Sequence, residues 1–369
     1  MLMTSRCRLA LLVTLLVSCA VVKGAAKKDN PPWLVSPELL KHAKLKLLWQ
    51  NKLPIKKNEN LELLHIIGDR ILALSNRNYM VSLDKENGSV IFSKPVAPRG
   101  FPILGLELYQ DDLISVIGNK LVEMDPDSAT ERRTLHTEFG IVCPAARNSS
   151  YFYLSGADKR LHALHAHNKV QVFEVAAKSE SMITSVIADE DFVVFGTEAG
   201  NVICITPDRP KRLWQFDATD AIIGPIVRDG LTLFFANKDM HVYRLDMVNP
   251  MAAKLVWKYQ MPGVLKRVPR VTRQVVYQHA AGEGLTAIDK RSGKALWSLQ
   301  EGVDLLAEAA GKAYVITDRR TLAVIDNNKA RSLYWVNFAA VSRYVPNTID
   351  SRIYIADERG RLACIEPAE

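Results

Sequence analysis

Three histidines within six residues, His162, His165 and His167, come nearest in this chain to a metal-binding cluster. Imidazoles hold zinc when three or four ligands converge on one point. In an extended chain, however, residues 162 and 165 point to opposite faces, which leaves only His165 and His167 together. Two ligands do not make a site, so no metal is expected here. The chain contains no Gly-x-Ser-x-Gly, P-loop, Cys-x-x-Cys or His-Glu-x-x-His segment. The nucleophile elbow, the phosphate cradle, the dithiol pair and the zinc-protease helix are therefore all missing as sequence signals.

The remaining chemistry-bearing residues point to binding or to local structure. Lys266, Arg267, Arg270 and Arg273 form the densest basic stretch, following the strand of Trp257. Such a run either docks an acidic partner or a phospholipid surface, or is simply a solvated loop, and the second reading is favoured. The long turn 247–253, with two methionines, is a second candidate for adaptable recognition, again against a plain structural reading. Asn87-Gly-Ser89 and Asn148-Ser-Ser150 would be glycosylation acceptors only in a eukaryotic secretory pathway. Cys204 and Cys364 fall in equivalent slots four repeats apart, which in a ring of eight exceeds disulfide reach, so they and Cys143 read as small buried residues.

The aspartates Asp84, Asp125, Asp246, Asp289 and Asp326 recur too regularly to be read singly. Each ends a short strand of one pattern, from Tyr79-Met-Val-Ser-Leu-Asp84 to Thr321-Leu-Ala-Val-Ile-Asp326. His165, Thr206 and Glu366 take the same slot in three further copies, and the eight stops are 41, 40, 41, 40, 43, 37 and 40 residues apart. In Asp84-Lys-Glu-Asn-Gly88 and Asp289-Lys-Arg-Ser-Gly293 the carboxylate can accept backbone N–H groups while glycine supplies positive φ. These aspartates are therefore turn residues, not catalytic ones.

Each stop strand is preceded by another β-type run and followed by a strand with an aromatic residue. The ring lies eight residues past the stop at Phe92, Phe173, Trp214, Trp297 and Tyr334, and eleven past it at Trp257. Leu135 fills the slot weakly. A large side chain in a periodic slot is core, packed between neighbouring sheets. Four short antiparallel strands per 40-residue unit predict an all-β, eight-bladed propeller. The eighth unit lacks its aromatic strand, whereas an orphan one, Leu47-Leu48-Trp49-Gln50-Asn51, opens the repeat region. An N-terminal strand that completes the last blade would close the ring.

The 369 residues, 48% of them apolar and 24% charged, suit such a soluble core. Net charge is +8, or about +6 once Arg6 and Arg8 of the leader are taken away. The cations are scattered, so no nucleic-acid partner is expected. Residues 1–18 read as a signal peptide, with Arg6 and Arg8 before the apolar run Leu9 to Val17. Leu16-Val17-Ser18-Cys19 resembles a bacterial lipoprotein box, which implies lipidation of Cys19, and the following Ala20 implies outer-membrane sorting. Ordinary cleavage after Ala20 or Ala26, giving a soluble secreted protein, is the alternative. Residues 19–44 then form a tether and 45–369 the propeller.

The aspartate stop, glycine turn and tryptophan strand together resemble the repeats of quinoprotein-like (PQQ-type) propellers over roughly residues 45–369. Asp289-Lys-Arg-Ser-Gly-Lys-Ala-Leu-Trp297 is the best copy. One branch of that family comprises quinone-dependent alcohol and sugar dehydrogenases, with calcium and quinone in the central channel. Some of these carry adjacent cysteines, which this chain lacks. The other branch comprises lipoproteins of the outer-membrane β-barrel assembly machine, which the lipobox, tether and eight units resemble more. That branch implies a non-catalytic scaffold without cofactor, a monomeric ring anchored in the outer membrane, facing the periplasm and bound to the barrel-inserting subunit. A dehydrogenase-like propeller, or a scaffold of another envelope complex, is the alternative.

Overall fold

Every repeat folds into its own four-stranded antiparallel sheet, and among the described residues there are eight such sheets. The structure is a computed structural model that describes residues 33–177 and 180–368. The signal peptide expected over residues 1–18 and the expected lipidation site Cys19 lie outside the described residues. Blade 1 runs Leu61–Ile67, Arg70–Ser75, Tyr79–Asp84 and Val90–Pro95, joined by tight turns in sequence order from the innermost strand to the outermost. Blades 2 to 7 repeat that order.

Alternation along the two middle strands of each blade builds the ring. Phe152 packs toward blade 2 and its neighbour Tyr153 toward blade 4. Phe234 likewise faces blade 6 and Phe235 faces blade 4. Strand periodicity of two sends successive side chains to opposite faces, so one run of apolar residues serves two interfaces. The described core divides into eight apolar clusters, each spanning one blade boundary. Burying one large side chain there contributes about 1.5–3 kcal/mol.

Closure follows the expected route. Leu45–Lys52 pairs antiparallel with Arg361–Pro367, with Trp49 opposite Cys364, and completes blade 8 as its outermost strand. Blade 8 then packs on blade 1 through Trp49, Tyr354, Leu61 and Val81. The first and last strands of the ring thus share one sheet.

The end of the expected tether behaves differently. Residues 33–44 pack on the ring through a six-residue helix, Pro37–His42. Leu34, Val35, Leu40 and Ala43 are buried in the cluster between blades 7 and 8. The Leu34 N–H donates to Gln50 Oε1 at 2.8 Å, and the Ala368 N–H donates to the Lys44 carbonyl at 2.8 Å. Apolar residues at that spacing fill the groove beside the closing strand, so residues 33–44 belong to the same compact unit as the ring.

Candidate functional site

The repeated aspartates are held by their own turns. Asp84 Oδ1 accepts the N–H groups of Glu86 and Asn87 at 2.8 and 3.0 Å. Asp125 and Asp326 repeat the arrangement with Asp127 and Ser128, and with Asn328 and Lys329, all at 3.0 Å. Asp289 accepts the Ser292 N–H at 2.7 Å and its hydroxyl at 2.5 Å. The Ser292 hydroxyl and N–H hold the Asp289 carboxyl below its ordinary range, and the Arg132 guanidinium leads in doing the same for Asp125.

Those turns receive the aromatic slot of the preceding blade. The indole N–H of Trp49 donates to the Lys85 carbonyl at 3.3 Å, and that of Trp257 to the Lys290 carbonyl at 3.0 Å. Trp297 donates to Asn327 Oδ1 at 2.8 Å. Gly88 and Gly293 both sit at φ +72°, and a Cβ there would lie 2.5 Å from the Trp49 ring and 2.6 Å from the Trp257 ring. Glycine is required twice over, by backbone conformation and by the indole. Phe92 occupies the corresponding position between blades 1 and 2.

Blade 5 breaks the pattern. Asp246 lies within a strand, opposite Lys254, and its carboxylate takes both Arg244 nitrogens at 2.9 and 2.8 Å. The hairpin His241–Asn249 and Ala252–Gln260 is nine residues on each side. It replaces the short turn, so the buried Trp214 N–H of blade 4 finds no acceptor. Sequence spacing hinted at this: Trp257 lies eleven residues past its stop where eight is usual.

The basic stretch lies on the innermost wall of blade 6. Leu265 bridges to Ala280 and Arg270–Val271 pairs with the next strand, so residues 265–271 form that wall. Arg270 binds Asp304 of blade 7 through two bonds of 3.0 Å. Arg267 reaches Asp304 Oδ2 at 3.3 Å and the Tyr344 hydroxyl of blade 8 at 3.2 Å. Asp304, only 4% exposed, thus joins three blades. Lys266 and Arg273 remain exposed. The sequence reading missed Asp304 and Tyr344. An aspartate inside the apolar run Gly302-Val-Asp-Leu-Leu-Ala307 was the available signal.

Across the innermost strands of blades 1 to 3, a cavity of about 320 Å³ is lined by His65, Glu107, Leu104 and Pro144. Burial pushes the Glu107 carboxyl up and the His65 imidazole down, so both favour their neutral forms. This donor set does not fit the calcium and quinone of the dehydrogenase branch. Glu107 is the one carboxylate in the cavity's lining, whereas calcium needs several oxygens converging. Among the described residues no cluster of three histidine, cysteine, aspartate or glutamate side chains is arranged to hold a metal. His162 stacks on Phe139 and hydrogen-bonds Asp158 at 2.9 Å, while His165 is exposed and leans on Tyr151. Cys143, Cys204 and Cys364 are buried free thiols, which burial pushes up to about 11, 12 and 12.

Eight four-stranded blades make this chain an eight-bladed β-propeller, whose aspartate turns and docked tryptophans resemble PQQ-type repeats. A family model described as outer membrane protein assembly factor BamB matches residues 198–334. The chain resembles BamB in architecture as well. The crystal structure of BamB from Moraxella catarrhalis superposes with a TM-score of 0.66 at 14% identity, covering 87% of this chain and 97% of that one. A computationally designed protein, Ika8, gives 0.66 at 13% identity over 85% and 98% of the two chains. The Cps50 (Swd1) propeller domain of Myceliophteria thermophila gives 0.55 at 13% over 86% and 99%. At such identities the likeness is one of fold. No curated protein matches the chain by sequence.

Proposed function

We propose that this propeller is a non-catalytic, membrane-anchored scaffold of the cell envelope that serves outer-membrane β-barrel protein assembly. One observation carries most of the reading. The carboxylates that the repeat supplies serve the frame, Asp84 and Asp289 on their own turns and Asp304 on Arg267 and Arg270. What is left for function is the exterior of a rigid frame. The match of residues 198–334 to the BamB model supports the assembly role over other envelope complexes.

In this reading Cys19 carries lipid and holds the ring at the outer membrane, on the periplasmic side. Confinement to a surface raises the local concentration of a binding module near membrane partners without any new contact. The ring would act as a monomer within a hetero-complex. Affinity capture from detergent-solubilised envelope tests the role, and the barrel-inserting subunit should be recovered with the ring. Cys19→Ala tests the anchor, since it should shift the protein to the soluble fraction and abolish lipid label. Dye reduction that requires added quinone and calcium would overturn the non-catalytic reading.

A further inference from the structure

We propose that the outer edge of blade 5 is a docking strand for an extended, apolar segment of another polypeptide that carries carboxylates. The proposal deepens the scaffold reading and rests on it, by naming the surface and the chemistry of its occupant.

Every blade presents one unpaired outer strand, and proteins blunt such edges to prevent indiscriminate pairing. Seven edges here carry a recognisable device. Val90–Pro95 ends in a proline, which cannot donate to a ladder. Glu131–His136 opens with three exposed charged residues. Gln171–Ala176 and Arg212–Asp217 have only six residues each, with charges along them, and Ala295–Leu299 has five. The strands Leu45–Lys52 and Arg331–Asn337 are those against which the helix Pro37–His42 packs.

Ala252–Gln260 has no proline and no helix packed on it, and its two charges, Lys254 and Lys258, flank an exposed apolar pair. It is nine residues long and has one neighbour, the strand His241–Asn249. The register shift between Arg244 and Leu245, which every blade repeats against its outermost strand, leaves Val256 without a partner residue, and both Leu255 and Val256 are exposed. The tip adds Val248, 69% exposed, and Met251, 57% exposed. The base is firm, because Met247 and Trp257 are buried against blades 4 and 6. A rigid base with an exposed apolar edge suits strand addition, in which main-chain bonds give affinity and side chains give choice.

Lys254 and Lys258 set that choice. Both are exposed on the edge strand. A second copy pairing antiparallel along all nine residues would be centred on Val256 and would place Lys254 opposite Lys258 twice. Like charges directly across a ladder are destabilising, so self-pairing is opposed while a strand bearing carboxylates there is favoured.

The test uses a fluorescent nine-residue Val/Thr peptide with glutamate at its third and seventh positions, and its lysine counterpart. By anisotropy the glutamate peptide should bind about tenfold tighter, and Lys254→Glu with Lys258→Glu should invert the preference. Hydrogen exchange should slow at residues 252–260 and not on another edge. The thermal midpoint of the double variant reports that the ring is intact. Equal binding of the two peptides, an unchanged preference in the variant, protection elsewhere, or self-association through 252–260 would each overturn the proposal. If neither peptide binds while envelope capture succeeds, the edge assignment falls and the scaffold reading stands. Peptide discrimination without capture supports the edge and removes that reading.

Discussion

Gly293→Ala should destabilise the ring far more than a glycine-to-alanine change usually does. Two effects add at this position. A non-glycine residue in the left-handed region, here φ +72°, costs about 1–2 kcal/mol. The new Cβ would also lie 2.6 Å from Trp257 Cγ, and relieving such overpacking costs about 1–3 kcal/mol more. The sum is about 2–5 kcal/mol. Gly100 supplies the control, since it sits at φ +85° with nothing within 4 Å of its Cβ position. Gly100→Ala should lose only the backbone part, about 1–2 kcal/mol. Urea denaturation of both variants, followed by tryptophan fluorescence, measures the difference. Combining Gly293→Ala with Trp257→Leu should cost less than the sum of the single changes, because the clash needs the indole. Equal losses for Gly293→Ala and Gly100→Ala would refute the docking of Trp257 on the aspartate turn.

Trp297→Phe should cost about 1–3 kcal/mol more than Trp214→Phe, because only the first strips a buried Asn327 of its donor while the Trp214 N–H has no acceptor to lose; urea midpoints compare the two. Asp304→Ala should cost about 2–4 kcal/mol, with Arg267 and Arg270 left facing each other, and raising salt should recover part of it by screening their repulsion. Stability should hold to about pH 8 and decline as pH rises further, from the ordinary cysteine and tyrosine values upward. The buried thiols Cys143, Cys204 and Cys364 and the phenols Tyr243 and Tyr314 are pushed up to about 11, 12, 12, 12 and 12, so the unfolded chain loses those protons first and gains stability at alkaline pH. Thermal midpoints from pH 7 to 11 check the slope. With Cys7 and Cys19 replaced by serine, the folded protein should consume almost no thiol reagent at pH 8, whereas urea should release all three remaining cysteines.

The blades were legible because the signals that make them are local. Strand alternation, the aspartate turn and an aromatic eight residues on all lie within one repeat. The orphan strand of Trp49 even revealed the closure, since a ring of eight leaves it one vacancy to fill. Interactions across blades were not legible. Arg270 and Asp304 are 34 residues apart and meet only because adjacent innermost strands touch, so the basic stretch read as a solvated loop. The helix Pro37–His42 is too short for periodicity to register, and its burial depends on a groove formed by blades 7 and 8. Blade 5 lay between these cases. Its spacing of 43 residues announced a longer hairpin, but spacing does not encode which residues of that hairpin, such as Leu255 and Val256, stay exposed.

We propose that this ring works by holding envelope β-barrel assembly proteins. Photo-crosslinking in intact cells tests it most directly, with a photoreactive residue placed in turn at exposed Val248, Met251, Phe101 and Ile349. Adducts should form with the barrel-inserting subunit or with barrel precursors, dominated by Val248 and Met251. Adducts confined to soluble enzymes or to small electron carriers, from a ring that remains folded and in place, would contradict it.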